Sequence, residues 1–171
     1  MTAVAGAVFA AADFNTFARD NLNETMVSKA TTPGSIFAGN GANAVSERTP
    51  DESYVGTSST TTSTTYADLA AGAGPSLTLN TGPTALICLY CTQYNTSGTA
   101  AWMAFDITGA TAFSASDSYA VQLQGTGGQK VGAMFLYTVL TAGSNTFTAK
   151  YRVSTSGTGT FSARRLSVWS F

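Results

Sequence analysis

Between Val131 and Ser154 the chain carries two different hydrophobic rhythms. Val131 to Leu140 is apolar on both parities: Val131, Ala133, Phe135, Tyr137 and Val139 on one, Met134, Leu136 and Leu140 on the other. Thr146 to Ser154 alternates cleanly, with Phe147, Ala149, Tyr151 and Val153 set against Thr146, Thr148, Lys150 and Arg152. Strand side chains point to opposite faces in turn, so the second stretch predicts one buried and one wet face. The first predicts a strand covered on both. The short Gly- and Asn-bearing link Thr141–Asn145 predicts that the two form an antiparallel hairpin.

The doubled pattern recurs twice. In Thr84–Tyr94, Leu86, Cys88 and Tyr90 alternate with Ala85, Ile87, Leu89 and Cys91; in Ala100–Ile107, Trp102 and Ala104 alternate with Ala101, Met103, Phe105 and Ile107. Further strands are predicted at Tyr54–Thr57, Thr61–Leu69, Ser76–Asn80, Ser118–Gln124 and Thr160–Ser170. In the last of these the apolar parity switches from Phe161 and Ala163 to Leu166 and Val168, which predicts a bulge at Arg164-Arg165. Short strands at regular spacing with turn signals between them predict a mainly β fold, an antiparallel, jelly-roll-like β-sandwich over residues 51–171.

Residues 1–50 read differently. In Ala11–Met26, Phe14, Phe17, Ala18, Leu22 and Met26 form one helical stripe, so a short amphipathic helix is predicted. One helix of about four turns is marginal alone, and its stripe needs a partner. Thr31-Thr32-Pro33-Gly34 then breaks the chain. Ile36–Ala38 and Ala44–Ser46, joined through Asn40-Gly41, predict a small hairpin. Residues 1–50 thus read as an arm, a helix and a hairpin whose stripe must be covered by the chain's own domain, by sister helices in an oligomer or by another protein.

Charge and composition narrow the function. The chain is 44% hydrophobic but only 10% charged, with a net charge of −1. Gly, Ser, Thr and Ala make a polar, uncharged surface. Nucleic-acid binding needs a basic face, and the eight basic residues are scattered. No apolar run reaches the ~18 residues of a membrane span. The start lacks the basic n-region of a secretory signal, so synthesis without Sec export is expected.

Candidate chemistry is sparse. There is no histidine, and the acids of the β region, Asp68, Asp106 and Asp117, read as turn or solvent residues rather than a catalytic pair. Enzymatic activity and a cofactor are not expected. Cys88 and Cys91 stand in a C-x-x-C on a strand, where positions three apart face opposite ways at roughly 10 Å. A disulfide needs Cα atoms within about 7 Å. Two free thiols are therefore predicted, with no second pair to complete a metal site. Tyr94, Trp102 and Trp169, with Tyr90 and Tyr119, are the residues available to stack on a sugar ring.

Two stretches resemble known proteins. FNTFARDNLNET at 14–25 is similar to a pattern near the start of tail-fibre-like and minor tail proteins of tailed bacteriophages. KATTPGSIFAGNGANAVSERTP at 29–50 resembles a hairpin element of phage fibre and appendage proteins, and GSNTFTAKYRVSTSGTGTFSARRLSV resembles the β domains attached to them. The resemblance rests on Phe14, Asn15, Arg19, Asp20, Asn21 and Leu22 and on Gly39–Ala42. It implies a virion structural protein made in the bacterial cytoplasm, a homotrimer whose N-terminal part binds other tail or capsid proteins, with Phe14, Phe17, Arg19, Leu22 and Met26 as docking residues. No repetitive shaft is visible. The doubled strands imply a subunit interface at Ile87, Leu89, Met103, Phe105, Met134 and Leu136, since two sheets bury only one face of each strand. A carbohydrate-binding domain that recognises host-surface glycan is the alternative.

Overall fold

The structure, a computed structural model, describes residues 10–14, 30–42, 44–70 and 72–171. The chain divides into two compact units, Met1–Thr49 and Pro50–Phe171. In the first, a single helical turn, α1 (Ala11–Phe14), is followed by a hairpin of β1 (Ile36–Gly39) and β2 (Val45–Arg48). The rest of the expected helix, with Phe17, Arg19, Leu22 and Met26, lies outside the described residues, as does the side chain of Phe14. The hairpin pairs Ile36 with Arg48 and Gly39 with Val45, and Gly41 supplies the positive φ of its turn.

Glu47 clasps the base of this hairpin. Its carboxylate accepts hydrogen bonds from the Thr32 amide (2.7 Å), the Thr31 amide (3.0 Å), the Ser35 hydroxyl (2.5 Å) and the Thr31 hydroxyl. The Ser35 hydroxyl foremost, then those of Thr31, lower its pKa from 4.5 to about 2. A depressed carboxylate stabilises the fold above its unfolded pKa and stops doing so as pH falls through the folded one. The clasp is therefore expected to be complete above 4.5 and to open as the pH drops towards about 2. The Thr31 and Thr32 amide resonances should titrate with a midpoint near 2; a midpoint near 4.5 would show the clasp absent in solution.

The second unit is a two-sheet antiparallel sandwich. One sheet has the order β3 (Asp51–Val55), β11 (Gly159–Ser170), β6 (Ala85–Asn95), β9 (Gln129–Tyr137), with β4 (Ser59–Thr61) also on β11. The other runs β5 (Ser76–Thr81), β10 (Gly143–Val153), β7 (Ala100–Gly109), β8 (Val121–Gln124). The pairs β3–β11, β5–β10, β6–β9 and β7–β8 nest one inside the next, the wrapping of a jelly roll. Ile87, Leu89 and Cys91 of β6, Met103, Phe105 and Ile107 of β7, Phe147, Ala149 and Tyr151 of β10 and Phe161, Leu166 and Val168 of β11 fill the space between the sheets.

Three expectations are corrected. β9 and β10 are not a hairpin: β9 pairs with β6, and β10 with β5 and β7 in the other sheet. A short link can as readily cross between sheets as turn within one, and strand parity does not tell them apart. Ile87, Leu89, Met103 and Phe105 are fully buried in the chain's own core, not turned outward to a partner. Finally, Thr61–Leu69 is not one strand. β4 stops at Thr61, and beyond it the Ser63 amide donates to the Thr61 hydroxyl (3.1 Å) and the Ser63 hydroxyl to the Thr65 carbonyl (2.6 Å). Such local side-chain bonds compete with the ladder. The expected bulge is present, as a register shift between Ser162 and Arg165 with Ala163 at φ 47°.

Candidate functional site

The two outer faces of the sandwich differ in kind. On the four-stranded sheet, hydroxyls pair across strands, Ser76 with Thr148 at 2.9 Å and Thr78 with Thr146 at 2.7 Å. Lys150 reaches Asp68 at 2.8 Å and Asp106 at 3.7 Å. Arg152 holds Asp117 through Nε (3.0 Å) and Nη2 (2.5 Å), and lies 4.7 Å over the Trp102 ring and 5.3 Å over that of Tyr66. The Arg152 guanidinium and then the Tyr66 hydroxyl keep the Asp117 carboxyl below the usual range. Each acid considered for catalysis thus has a structural partner.

The five-stranded sheet presents an apolar band instead. Register sets Leu136 beside Leu86 and Leu86 beside Trp169; one step along, Met134 lies beside Cys88 and Cys88 beside Ser167. In the next row Gly132 faces Tyr90, and Tyr90 faces Arg165, whose partner on β3 is Tyr54. Cross-strand neighbours of this kind touch, so the band is continuous. Met134 is 70% exposed, Leu136 59%, Tyr54 53% and Trp169 48%. The other large exposed hydrophobics among the described residues, Val139 and Phe171, follow the ends of β9 and β11. A Cβ at Gly132 would come within 3.3 Å of the Tyr90 ring and 3.1 Å of the Leu89 carbonyl, so the missing side chain leaves space for Tyr90 beside β9. Glu52 and Arg165 pair on this face, with Ser167 also donating to Glu52 at 3.1 Å, and Lys130, beside Thr92, carries a further charge at the far end of β9. Trp169 and Cys88 border a shallow depression with Pro50, Asp51, Glu52 and Ser167.

The sugar-stacking candidates are not brought together. Trp102 is on the outer face of the four-stranded sheet, covered by Arg152. Tyr94 and Trp169 share a sheet, but Tyr94 pairs with Thr160 and Trp169 with Leu86, positions eight residues apart along β6 and so roughly 27 Å apart. The four basic residues of β10 and β11 are likewise dispersed: Lys150 and Arg152 on one outer face, Arg165 on the other, Arg164 inside. Sequence reading placed Leu86, Tyr54 and Arg164 on strands but gave none of them a functional role. The signal for Arg164 was present in the parity switch of β11.

Cys88 and Cys91 are both free, Cys88 half-buried on the outer face and Cys91 buried. Burial pushes the Cys91 thiol up to about 12, and it donates to Gln93 Oε1 at 3.2 Å. Alkylation of the denatured, unreduced protein should add two groups by intact mass. In the folded single chain Cys88 should be the more reactive of the two, since Cys91 is buried in the core. No adduct after denaturation would refute the assignment. Among the described residues no group of His, Cys, Asp and Glu could hold a metal ion, and no helix is long and apolar enough to cross a membrane.

This is an antiparallel β-sandwich with one apolar and one polar outer face. No family model and no curated protein matches the chain. Among solved structures it is similar to the carbohydrate-binding module TmCBM61, solved in complex with β-1,4-galactotriose, at 11% identity and TM-score 0.34, over 87% of this chain and 96% of that one.

Proposed function

We propose that this chain is a non-enzymatic structural protein of a tailed-bacteriophage virion. Its sandwich associates into a homotrimer through the outer face of the five-stranded sheet, and residues 1–50 dock it to the particle. The observation that carries the self-association is the gathering of Leu136, Leu86, Trp169, Met134 and Tyr54 on one face while the opposite face is lined with hydroxyls and ion pairs. A contiguous apolar face of this sort marks an interaction site. A second copy suits it, because Glu52 and Arg165 cancel within the band, Lys130 lies at its far end on β9, and a net charge of −1 sets little repulsion between copies. The virion assignment is supported by the motifs at 14–25 and 29–50. Immunogold labelling of purified particles with antibodies to this chain tests it: regular labelling is expected, and particles that contain none of the protein by mass spectrometry would refute it.

The alternative, host-glycan recognition, is favoured by one feature, the half-exposed Trp169 ring beside Asp51, Glu52 and Ser167. An apolar ring flanked by a few polar groups is the chemistry of a sugar subsite. On a glycan array this reading expects hits that Trp169→Ala abolishes. An array without hits sinks it. Trimer formation would cover the same ring, so the two readings compete for one surface.

A further inference from the structure

The bulge in β11 turns a cation into the interior. Counting by twos from the buried Phe161 would place residues 163 and 165 inside. The register shift, with Ala163 at φ 47°, resets the count so that Arg164, Leu166 and Val168 point inward. Arg164 is only 2% exposed. Its Nη2 donates to the Thr57 carbonyl at 3.2 Å, and its guanidinium lies 5.6 Å from the centre of the Tyr151 ring. Nε and Nη1 have no acceptor, and the Tyr151 hydroxyl is also buried without a partner. None of the ion pairs among the described residues involves Arg164.

Two unfavourable features therefore coincide. A non-glycine residue in the left-handed region is strained, and the side chain it turns inward is a guanidinium cation. A buried cation without a counter-charge is costly. The neighbouring groups do not supply the charge. Burial, opposed by Arg164, raises the Tyr151 phenol, which stays protonated, and the Cys91 thiol is likewise held neutral by burial. Asp68 is engaged with Lys150.

We propose that Arg164 Nε and Nη1 and the Tyr151 hydroxyl form an internal binding site for one small monovalent anion of the chloride or nitrate type. Three donors and one positive charge match one such ion, whereas a dianion would leave net negative charge in the core. The surroundings are close: a Cβ at Gly74 would sit 2.4 Å from Tyr151 Oη, so there is little room for an organic acid. On the side where β4 borders β11 and Ala67 bridges Tyr151 lies a cleft of about 430 Å³, lined by Thr60–Ser63, Ala67, Asp68 and Ala70, from which the ion would enter.

The test replaces gluconate by chloride at constant ionic strength and follows thermal unfolding. The wild-type Tm is expected to rise with the logarithm of chloride concentration, as for any ligand of the folded state alone. Arg164→Met should abolish that rise and Tyr151→Phe should weaken it. Crystals of the wild-type protein soaked in bromide decide the matter independently of how the variants fold. An anomalous peak within hydrogen-bonding distance of the guanidinium and Tyr151 Oη is expected. Ordered water with no bromide there, a wild-type Tm indifferent to chloride, or an equal rise in Arg164→Met overturns the proposal.

Discussion

Leu136→Asp is expected to convert the assembled protein into a folded monomer. The side chain is more than half exposed in the single chain, so the substitution meets no steric obstacle and leaves the core intact. In the assembly it places a carboxylate in the middle of the apolar band, beside Leu86, with no cation in its row. Burying an unpaired charge costs several kcal/mol, enough to shift a micromolar association by roughly a hundredfold or more. Light scattering should give a trimer mass for the parent and a monomer mass for the variant, with unchanged far-UV circular dichroism. Thr78→Asp, on the hydroxyl face, should leave the trimer intact. A parent that is monomeric at micromolar concentration removes the basis for the interface, and so does a Leu136→Asp variant that stays as oligomeric as the parent.

How much of this was legible in the sequence depends on the strand. In β10 the alternation is unambiguous, and Phe147, Ala149, Tyr151 and Val153 are all buried. β6 and β7 are apolar on both parities, so the sequence says that two surfaces are apolar but not which one faces the core. That is settled by neighbours: Ile87 and Leu89 face the opposite sheet, while Leu86 and Cys88 lie between Met134, Leu136 and Trp169. Two of the six expected interface residues, Met134 and Leu136, are outward, and they belong to β9, an edge strand. The bulge in β11 could be read from parity, but its consequence could not: one added residue exchanges the environments of Arg164 and Arg165, sending one cation inside and leaving the other with Glu52 and the Tyr54 ring at 4.9 Å. The threonine tract misled because Thr serves a strand by its β-branch and a turn by its hydroxyl, and from Thr61 to Thr65 the hydroxyls prevail.

Phe105 gives the complementary prediction, that a residue expected at an interface acts instead within one chain. It is fully buried, and its ring centre lies 5.7 Å from Phe113, 6.0 Å from Tyr119, 6.4 Å from Tyr137 and 6.5 Å from Phe147. These rings come from β7, β9, β10 and the loop and 3-10 turn between β7 and β8, so Phe105 ties both sheets to the connection that crosses their open side. Phe105→Ala removes this centre, leaves a cavity and is expected to cost about 3–5 kcal/mol. Against a typical total of roughly 5–15 kcal/mol that is a large fraction of the stability. Oligomer stability depends on protein concentration, so the measurement belongs in the Leu136→Asp monomer, by urea unfolding. There Met134→Ala, an exposed site, should change stability by no more than about 0.5 kcal/mol. In the parent, with the proposed interface in place, the order is expected to reverse: Met134→Ala should weaken association, whereas Phe105→Ala should lower the folded fraction without lowering the mass of what remains folded. If Phe105→Ala instead costs the monomer less than about 1 kcal/mol, well below the loss expected for a buried aromatic, and yet dissociates the trimer, then β7 turns its phenylalanine to the partner and the core assignment is wrong.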